Sequence, residues 1–155
     1  MPSQLNVQYR LATRIDVPAI VRLLAEDDLG SQRERLETPL PGSYYVAFEA
    51  IDGDPNNELI VVDVNGEVIG TLQLRFLPSL SYQGGMRAQV ESVRVAQQLR
   101  GQGIGADMME WVIERARGRG CHMMQLTSHK SRTDAHRFYE KLGFSKSHIG
   151  MKLGL

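Results

Sequence analysis

Apolar residues along this chain recur with two different periods, and the switches between them divide it into elements. Residues 8–12 read as a short strand. Ile20, Leu23 and Leu24 then form the inward stripe of a helix, with Asp16 as its N-cap and Pro18 in its first turn. Residues 29–41 are polar and mixed and specify no element. Ser43 reads as the cap of a second helix that turns Tyr44, Ala47, Phe48 and Ile51 inward and is broken by the run at 53–57. Residues 58–64 are rich in β-branched side chains and read as a strand. Asn65-Gly66 is a hairpin signal, because a type I′ turn needs positive φ at both positions, and residues 67–77 supply the partner strand. Beyond a loop with Pro78, Ser79, Ser81, Gly84 and Gly85 comes another strand, 87–95. Ile104, Met108, Trp111 and Val112 mark a helix whose acids lie early or centrally and whose arginines (Arg115, Arg117, Arg119) lie at its end, as the helix dipole favours. Residues 122–127 form a short strand. Ala135, Phe138, Tyr139 and Leu142 line a last helix closed by Gly143, and residues 147–153 add a final strand. This order predicts an α/β fold with a mixed sheet whose first half is antiparallel.

The length of 155 residues fits a single domain, 1–155, large enough to bury a core without disulfide or metal. The one cysteine, Cys121, has no internal partner and reads as buried and structural. Met1, Pro2, Ser3 and Gln4 show no basic segment followed by an apolar one, and the longest aliphatic runs are too short to cross a bilayer, so a cytoplasmic protein with no membrane partner is expected. A net charge of zero gives no general attraction to nucleic acid. The charge is unevenly spread: residues 1–86 hold 6 Lys/Arg and 12 Asp/Glu, and residues 87–155 hold 12 and 6. Ordinary scatter over a solvated surface accounts for this. So does a polyanionic ligand on the second part, with a cationic substrate approaching from the first. The four histidines lack metal-ligand spacing, and no metal is expected.

Between the strand at 87–95 and the following helix lie Arg100, Gly101, Gln102, Gly103, Ile104, Gly105 and Ala106. Glycines there let the backbone come close to a ligand and adopt positive φ, while the N–H groups of the helix's first turn and its dipole favour an anion. Arg100 adds a positive charge. No Lys-Ser/Thr follows, which excludes an NTP-binding P-loop. The loose dinucleotide pattern is satisfied, but it comes late, after antiparallel strands, with no acid some twenty residues on.

With the preceding Val93-Arg94-Val95, this turn resembles the signature of the GNAT family of N-acetyltransferases, in which a strand is followed by Arg/Gln-x-x-Gly-x-Gly/Ala and a helix. A second signature, the helix ending in Phe-Tyr-x-x-x-Gly-Phe, is matched by Phe138, Tyr139, Gly143 and Phe144, and the start around residues 11–20 is similar to the family's first strand and helix. The resemblance covers nearly the whole chain. It implies a GNAT-type mixed twisted sheet of about six or seven strands flanked by about four helices. It implies acetyl-CoA as co-substrate, its pyrophosphate on the backbone of Arg100, Gly101, Gln102, Gly103, Ile104, Gly105 and Ala106, and its pantetheine arm along the backbone of Val93, Arg94 and Val95. The acceptor is a small-molecule amine or a protein amine, attacking directly in a ternary complex, and the resemblance extends to a homodimer.

Acetylating an amine requires deprotonating an ammonium of pKa about 10.4, polarising the thioester carbonyl and protonating the departing thiolate. Glu91 matches a family position that often holds a glutamate and is the candidate base; by strand alternation it shares a face with Val93 and Val95. An ordinary strand glutamate held by Arg75 is the competing reading. Tyr139 is the candidate acid by the same resemblance, and the Val95 N–H the candidate carbonyl polariser. Arg132 stands where many members carry a coenzyme-contacting asparagine and is carried over as a coenzyme contact. The alternatives are a non-catalytic acetyl-CoA sensor, or acyl transfer to another acceptor.

Overall fold

Five strands form one sheet in the order β1 (Val7–Leu11), β2 (Asn57–Val64), β3 (Glu67–Pro78), β4 (Met86–Val95) and β5 (Met123–Leu126) in a computed structural model that describes residues 6–155. Met1 to Gln4, read above for a leader, lie outside these residues. The first three pairings are antiparallel and β4–β5 is parallel. The β2–β3 hairpin closes through Asn65 and Gly66 at φ of 53° and 86°, the positive values a type I′ turn demands. The Asp63 carboxylate accepts the Gly66 N–H at 2.7 Å and holds that turn.

Helices cover both faces. Ile60, Leu72, Leu74, Phe76, Ala88 and Val90 face α5 (Ile104–Gly118), which contributes Met108, Met109 and Val112, all fully buried. Trp111 stacks on Tyr9 with ring centroids 5.3 Å apart. Phe138, Tyr139 and Leu142 of and just beyond α6 (Thr133–Lys141) pack on the same cluster. On the opposite face α1 (Val17–Ala25) and α3 (Gly42–Asp52) cover Val61 and Leu59 with Val17, Ile20, Val21 and Phe48. Truncating a core leucine such as Leu74 to alanine would cost about 2–5 kcal/mol, because so dense a site collapses only partly.

The structure corrects the element count. The sheet has five strands among the described residues, not six or seven, and residues 147–153 form none of them. A strand exists only where another strand pairs with it, and this segment pairs with none among the described residues. Two helices beyond the expected four are short. α2 (Asp28–Arg33) has Leu29 as its only large apolar residue and so leaves no period to read; Asp27 caps it, accepting the Gly30 N–H at 2.6 Å. α4 (Ser81–Gly84) is one turn with Tyr82 and Gln83 at left-handed φ.

Asp16 is not a side-chain cap for α1. Its carboxylate turns back to the Arg10 guanidinium, 2.7 and 3.0 Å away, and to the Thr13 N–H at 2.7 Å, while Arg10 also reaches Asp63 at 3.0 Å. These bonds tie β1 to the start of α1 and to β2. The Arg10 bonds, together with Thr13 and against the opposing effect of burial, hold the Asp16 carboxyl below its ordinary pKa. A lowered folded pKa contributes stability above the unfolded value, and that contribution is lost as pH falls through the folded one. Asp16→Asn is expected to cost about 1.5–3 kcal/mol at pH 7, with the deficit against the parent shrinking below about pH 4. Urea unfolding of both proteins at pH 7 and pH 3 checks this; an equal deficit at the two pH values would refute it.

Candidate active site

The phase of β4 changes midway. On β3, Thr71 pairs with Arg94 and Gln73 with Glu91, so two steps on β3 match three on β4. The surplus is a β-bulge at Ser92, whose φ is 55°. Before it, Met86, Ala88 and Val90 face the α5 side; after it, Val93 and Val95 do. Glu91, opposite Gln73, and Arg94, opposite Thr71, lie on the other face. Glu91 therefore does not share a face with Val93 and Val95, as strict alternation predicts. The sequence carries the signal: the spacing of apolar residues on β4 slips from two to three between Val90 and Val93.

β5 pairs with β4 only from Arg87 to Val90. The next five residues of β4, Glu91 to Val95, keep β3 on one side and have no described strand on the other. This opens a cleft between the ends of the two parallel strands, with an unpaired backbone edge along one wall. At the end of that edge the chain makes a 3-10 turn (Gln97–Leu99) and enters the glycine turn. Gly101 and Gly103 have φ of 79° and 85°, and a Cβ at either would meet nothing within 4 Å. Both are glycine for backbone conformation, and both leave the turn open on its outer side. Gly103 is the N-cap of α5 and no side chain caps it, so the N–H groups contributed by Ile104, Gly105 and Ala106 face outward without a side-chain acceptor. Gly105 differs: a Cβ there would lie 3.4 Å from Phe138 Cζ. Arg100 is exposed and donates from Nε to the Val95 carbonyl at 3.3 Å, folding the turn back onto β4. Gln102 is exposed.

Tyr139 lies edge-on to Phe138 and Phe144. Burial raises its hydroxyl pKa, against the opposing pull of Arg94 and Arg132. It is thus a protonated donor at neutral pH. Arg94 and Arg132 share one carboxylate, Asp27, at 3.7 and 2.6 Å. Burial tends to raise the Asp27 pKa, but the Gly30 N–H and the two arginines outweigh it and the net shift is downward. Arg94 Nε is buried with no hydrogen-bond partner, an unsatisfied donor beside the cleft. Asp27 is a residue that sequence reasoning missed, since it lies in the stretch between periodic segments.

Glu91 accepts from Gln89 Nε2 at 2.6 Å and from Arg75 Nη1 at 3.5 Å. The Arg75 contact expected of an ordinary strand glutamate is therefore present. Gln125 extends the row, donating to Gln89 at 2.8 Å. Beside this row a cavity of about 140 Å³ opens between α1, α3 and the sheet, lined by apolar residues including Leu24, Tyr44 and Phe48, with Gln73 and Ser92 at its polar side. The other residues weighed from sequence lie apart from this chemistry. Cys121 is half-buried and burial raises its thiol pKa, which disfavours the thiolate. His129 is exposed and engaged with Ser131 at 2.7 Å, and Lys141 is exposed on α6. No described helix is long and apolar enough to cross a membrane.

Comparison with known proteins agrees with this geometry. The family model for the acetyltransferase (GNAT) family matches residues 20–144. An aminoalkylphosphonate N-acetyltransferase of Salmonella typhimurium is 34% identical over 96 residues, 62% of this chain and 62% of that protein. A glucosamine 6-phosphate N-acetyltransferase of Trypanosoma brucei brucei is 30% identical over 142 residues, covering 87% of this chain and 95% of that one. A crystal structure described as a transcriptional regulator from Bacillus halodurans C-125 superposes with a TM-score of 0.94 at 52% identity, over 97% of this chain and all of the other. With the glycine turn, the open strand edge and the Phe-Tyr helix in one cleft and the family model spanning most of the sequence, the chain belongs to the acetyltransferase (GNAT) family, whose chemistry is acetyl transfer from acetyl-CoA to an amine.

Proposed function

We propose that residues 1–155 act as one domain that acetylates a small amine whose other end carries phosphate or phosphonate. The observation that carries this reading is the five-residue open edge of β4, with Glu91 at its start and the glycine turn at its end. The pantetheine arm of acetyl-CoA has amides that pair with the backbone of Val93, Arg94 and Val95, as an added strand would. Its pyrophosphate lies on the N–H groups of the turn from Arg100 to Ala106. Arg132 lies across the cleft from Arg94, bound to the same aspartate, and contacts the coenzyme as a cation rather than as an amide.

The acceptor approaches from the Glu91 face. Glu91, directly or through one water, takes a proton from the ammonium, and the free amine attacks the thioester carbonyl polarised by the Val95 N–H. The C–N bond forms, the nitrogen gives its remaining surplus proton to solvent, the C–S bond breaks, and the thiolate takes the Tyr139 proton, which solvent restores. Three things favour a small zwitterionic acceptor. Arg75 stands 3.5 Å from Glu91, so one carboxylate and one guanidinium are spaced to hold an ammonium and a nearby anion of the same molecule. Two named relatives are an aminoalkylphosphonate and a glucosamine 6-phosphate N-acetyltransferase. The adjoining cavity of about 140 Å³ suits a short alkyl segment better than a protein chain. A cytoplasmic location fits a chain with one free cysteine.

An amine panel read by release of free thiol tests the assignment. Aminoalkylphosphonates and amino-sugar phosphates are expected to give the highest kcat/KM, and Arg75→Ala to lower it about 10–100-fold for them while sparing neutral amines. A preference for polyamines or lysine peptides would overturn the acceptor assignment and favour the cationic substrate suggested by the acidic first part. Glu91→Gln is expected to lower kcat/KM about 100-fold or more at pH 7, with the variant recovering as pH rises toward the ammonium pKa. A variant that keeps the parent's rate across the profile would remove Glu91 as base. Tyr139→Phe is expected to lower kcat about 10–100-fold with acceptor KM little changed; unchanged turnover would remove it as acid.

The description of the Bacillus halodurans structure as a transcriptional regulator favours a second reading, in which acetyl-CoA is bound and sensed without transfer. Calorimetric binding of acetyl-CoA with no thiol release across the panel would decide for it.

A further inference from the structure

Before the bulge, the residues of β4 that face away from α5 belong to a polar row across three strands. Arg87, Gln89 and Glu91 alternate with the core residues Met86, Ala88 and Val90. Arg75 on β3 stands opposite Gln89, and Gln125 on β5 stands on its other side. Polar contacts run along the row: Arg75 to Glu91 at 3.5 Å, Gln89 to Glu91 at 2.6 Å, Gln125 to Gln89 at 2.8 Å and Arg87 to Gln125 at 3.5 Å. Every member is partly exposed, so the row meets solvent. It begins at the candidate base and ends, away from the glycine turn, at Arg87.

Arg87 is the member of this row that the fold leaves without a counter-charge. Four arginines lie on the described strands, and Arg10, Arg75 and Arg94 each meet a carboxylate. Arg87 meets none among the described residues. Its Nη1 has the Gln125 amide oxygen at the long end of hydrogen-bond distance, and its Nε is buried with no partner. Buried donors are nearly always paired in folded proteins, so this guanidinium calls for an acceptor that the described chain does not supply. The charges agree. Two guanidinium groups and one carboxylate leave the row one positive charge in surplus. An amine with an ammonium at one end and a phosphonate or phosphate dianion at the other carries one negative charge net, whereas an amino carboxylate carries none. The spacing agrees as well. At about 3.3 Å per residue, the Cα atoms of Glu91 and Arg87 stand about 13 Å apart, with Gln89 midway and Arg75 across from it. The two arginine arms reach the space over Gln89 from either side, where the far end of a short amine held at Glu91 lies.

We infer that Arg87 joins Arg75 in a two-guanidinium subsite for the dianionic head of the acceptor, a phosphonate or a phosphate monoester, with the acceptor's ammonium at Glu91. The inference rests on the acceptor class proposed above and adds to it the residue that separates a phosphorus dianion from a carboxylate. A carboxylate is satisfied by the two parallel N–H groups of one guanidinium. A phosphonate has a third oxygen and a second charge, which one guanidinium leaves unpaired. Arg75 alone serves both kinds of anion, and Arg87 supplies the second fork that only the dianion uses.

Steady-state kinetics on the full chain at saturating acetyl-CoA test this, read by thiol release with 2-aminoethylphosphonate and with β-alanine, its carboxylate counterpart of equal length. The parent is expected to prefer the phosphonate. Arg87→Gln is expected to lower the phosphonate-to-carboxylate ratio of kcat/KM about 10–100-fold, through the phosphonate KM rather than kcat. Arg87→Lys is expected to recover part of that loss, and Arg75→Ala to weaken both acids. An unchanged ratio in Arg87→Gln overturns the inference and leaves the acceptor class standing. So does an equal loss with both acids, or a lysine variant no better than the glutamine one. A parent that acetylates neither aminophosphonates nor amino-sugar phosphates overturns the inference together with the acceptor class. Should the Arg87 variants fail to fold, ethylphosphonate and propionate are compared as inhibitors competing with the acceptor, in the parent and in Arg75→Ala. Ethylphosphonate is expected to bind the parent at least about 10-fold more tightly, and part of that preference to persist in Arg75→Ala, where Arg87 remains. Equal inhibition of the parent by the two, or a preference lost entirely with Arg75, overturns the inference.

Discussion

One surplus residue in β4 sets the relation between Glu91 and the open edge of the strand. A regular strand alternates its side chains strictly, so without the bulge Glu91, Val93 and Val95 would all face one way. Either the two valines would leave the core under α5, or Glu91 would be buried in it. With Ser92 in the left-handed region, at a cost of about 1–2 kcal/mol for a residue other than glycine, Glu91 meets the open face while Val93 and Val95 stay packed. The same bulge turns Arg94 toward Asp27 and increases the local bend, and the parallel pairing with β5 ends two residues before it, at Val90. The faces on which Glu91 and Arg94 stand beside the cleft are consequences of that single insertion.

The electrostatics of the cleft tie together segments remote in sequence. Asp27 comes from the corner between α1 and α2, Arg94 from β4, and Arg132 from the loop before α6. Two guanidinium groups around one carboxylate leave a surplus of positive charge beside Tyr139, in a site where burial strengthens it. That surplus opposes the effect of burial on the tyrosine hydroxyl without cancelling it. The hydroxyl therefore stays protonated, beside groups that favour negative charge. Arg132 makes the cleft more strongly cationic than a neutral side chain at its position would.

Much of this was legible in the sequence, and the parts that were not share a physical cause. The Asn65-Gly66 hairpin, the long helix from Ile104, the Phe138-Tyr139 face and the anion-favouring glycine turn all rest on local signals, such as a required positive φ or a sustained period. Those elements stand where the pattern puts them. The face carrying Glu91 was misread because alternation was continued through 91–92, although the slip from Val90 to Val93 was visible. α2 was missed because one apolar residue in under two turns makes no period. Asp27 and its two arginines were beyond local reading altogether, since their association depends on how three elements pack. Residues 147–153 alternate as a strand would and form none, because a pattern states that a face needs covering and is silent on what covers it.

Gly105 carries a consequence of a different kind. Unlike Gly101 and Gly103, it takes no unusual φ; a Cβ there would just touch the Phe138 ring at 3.4 Å, so a methyl fits and a larger side chain meets the ring. The third glycine of the turn thus packs directly against a residue of the other signature. Residues 105 and 138 should vary together among related chains: bulk admitted at one position must be surrendered at the other. The two signatures by which the family is recognised are, at this contact, a single constraint written twice.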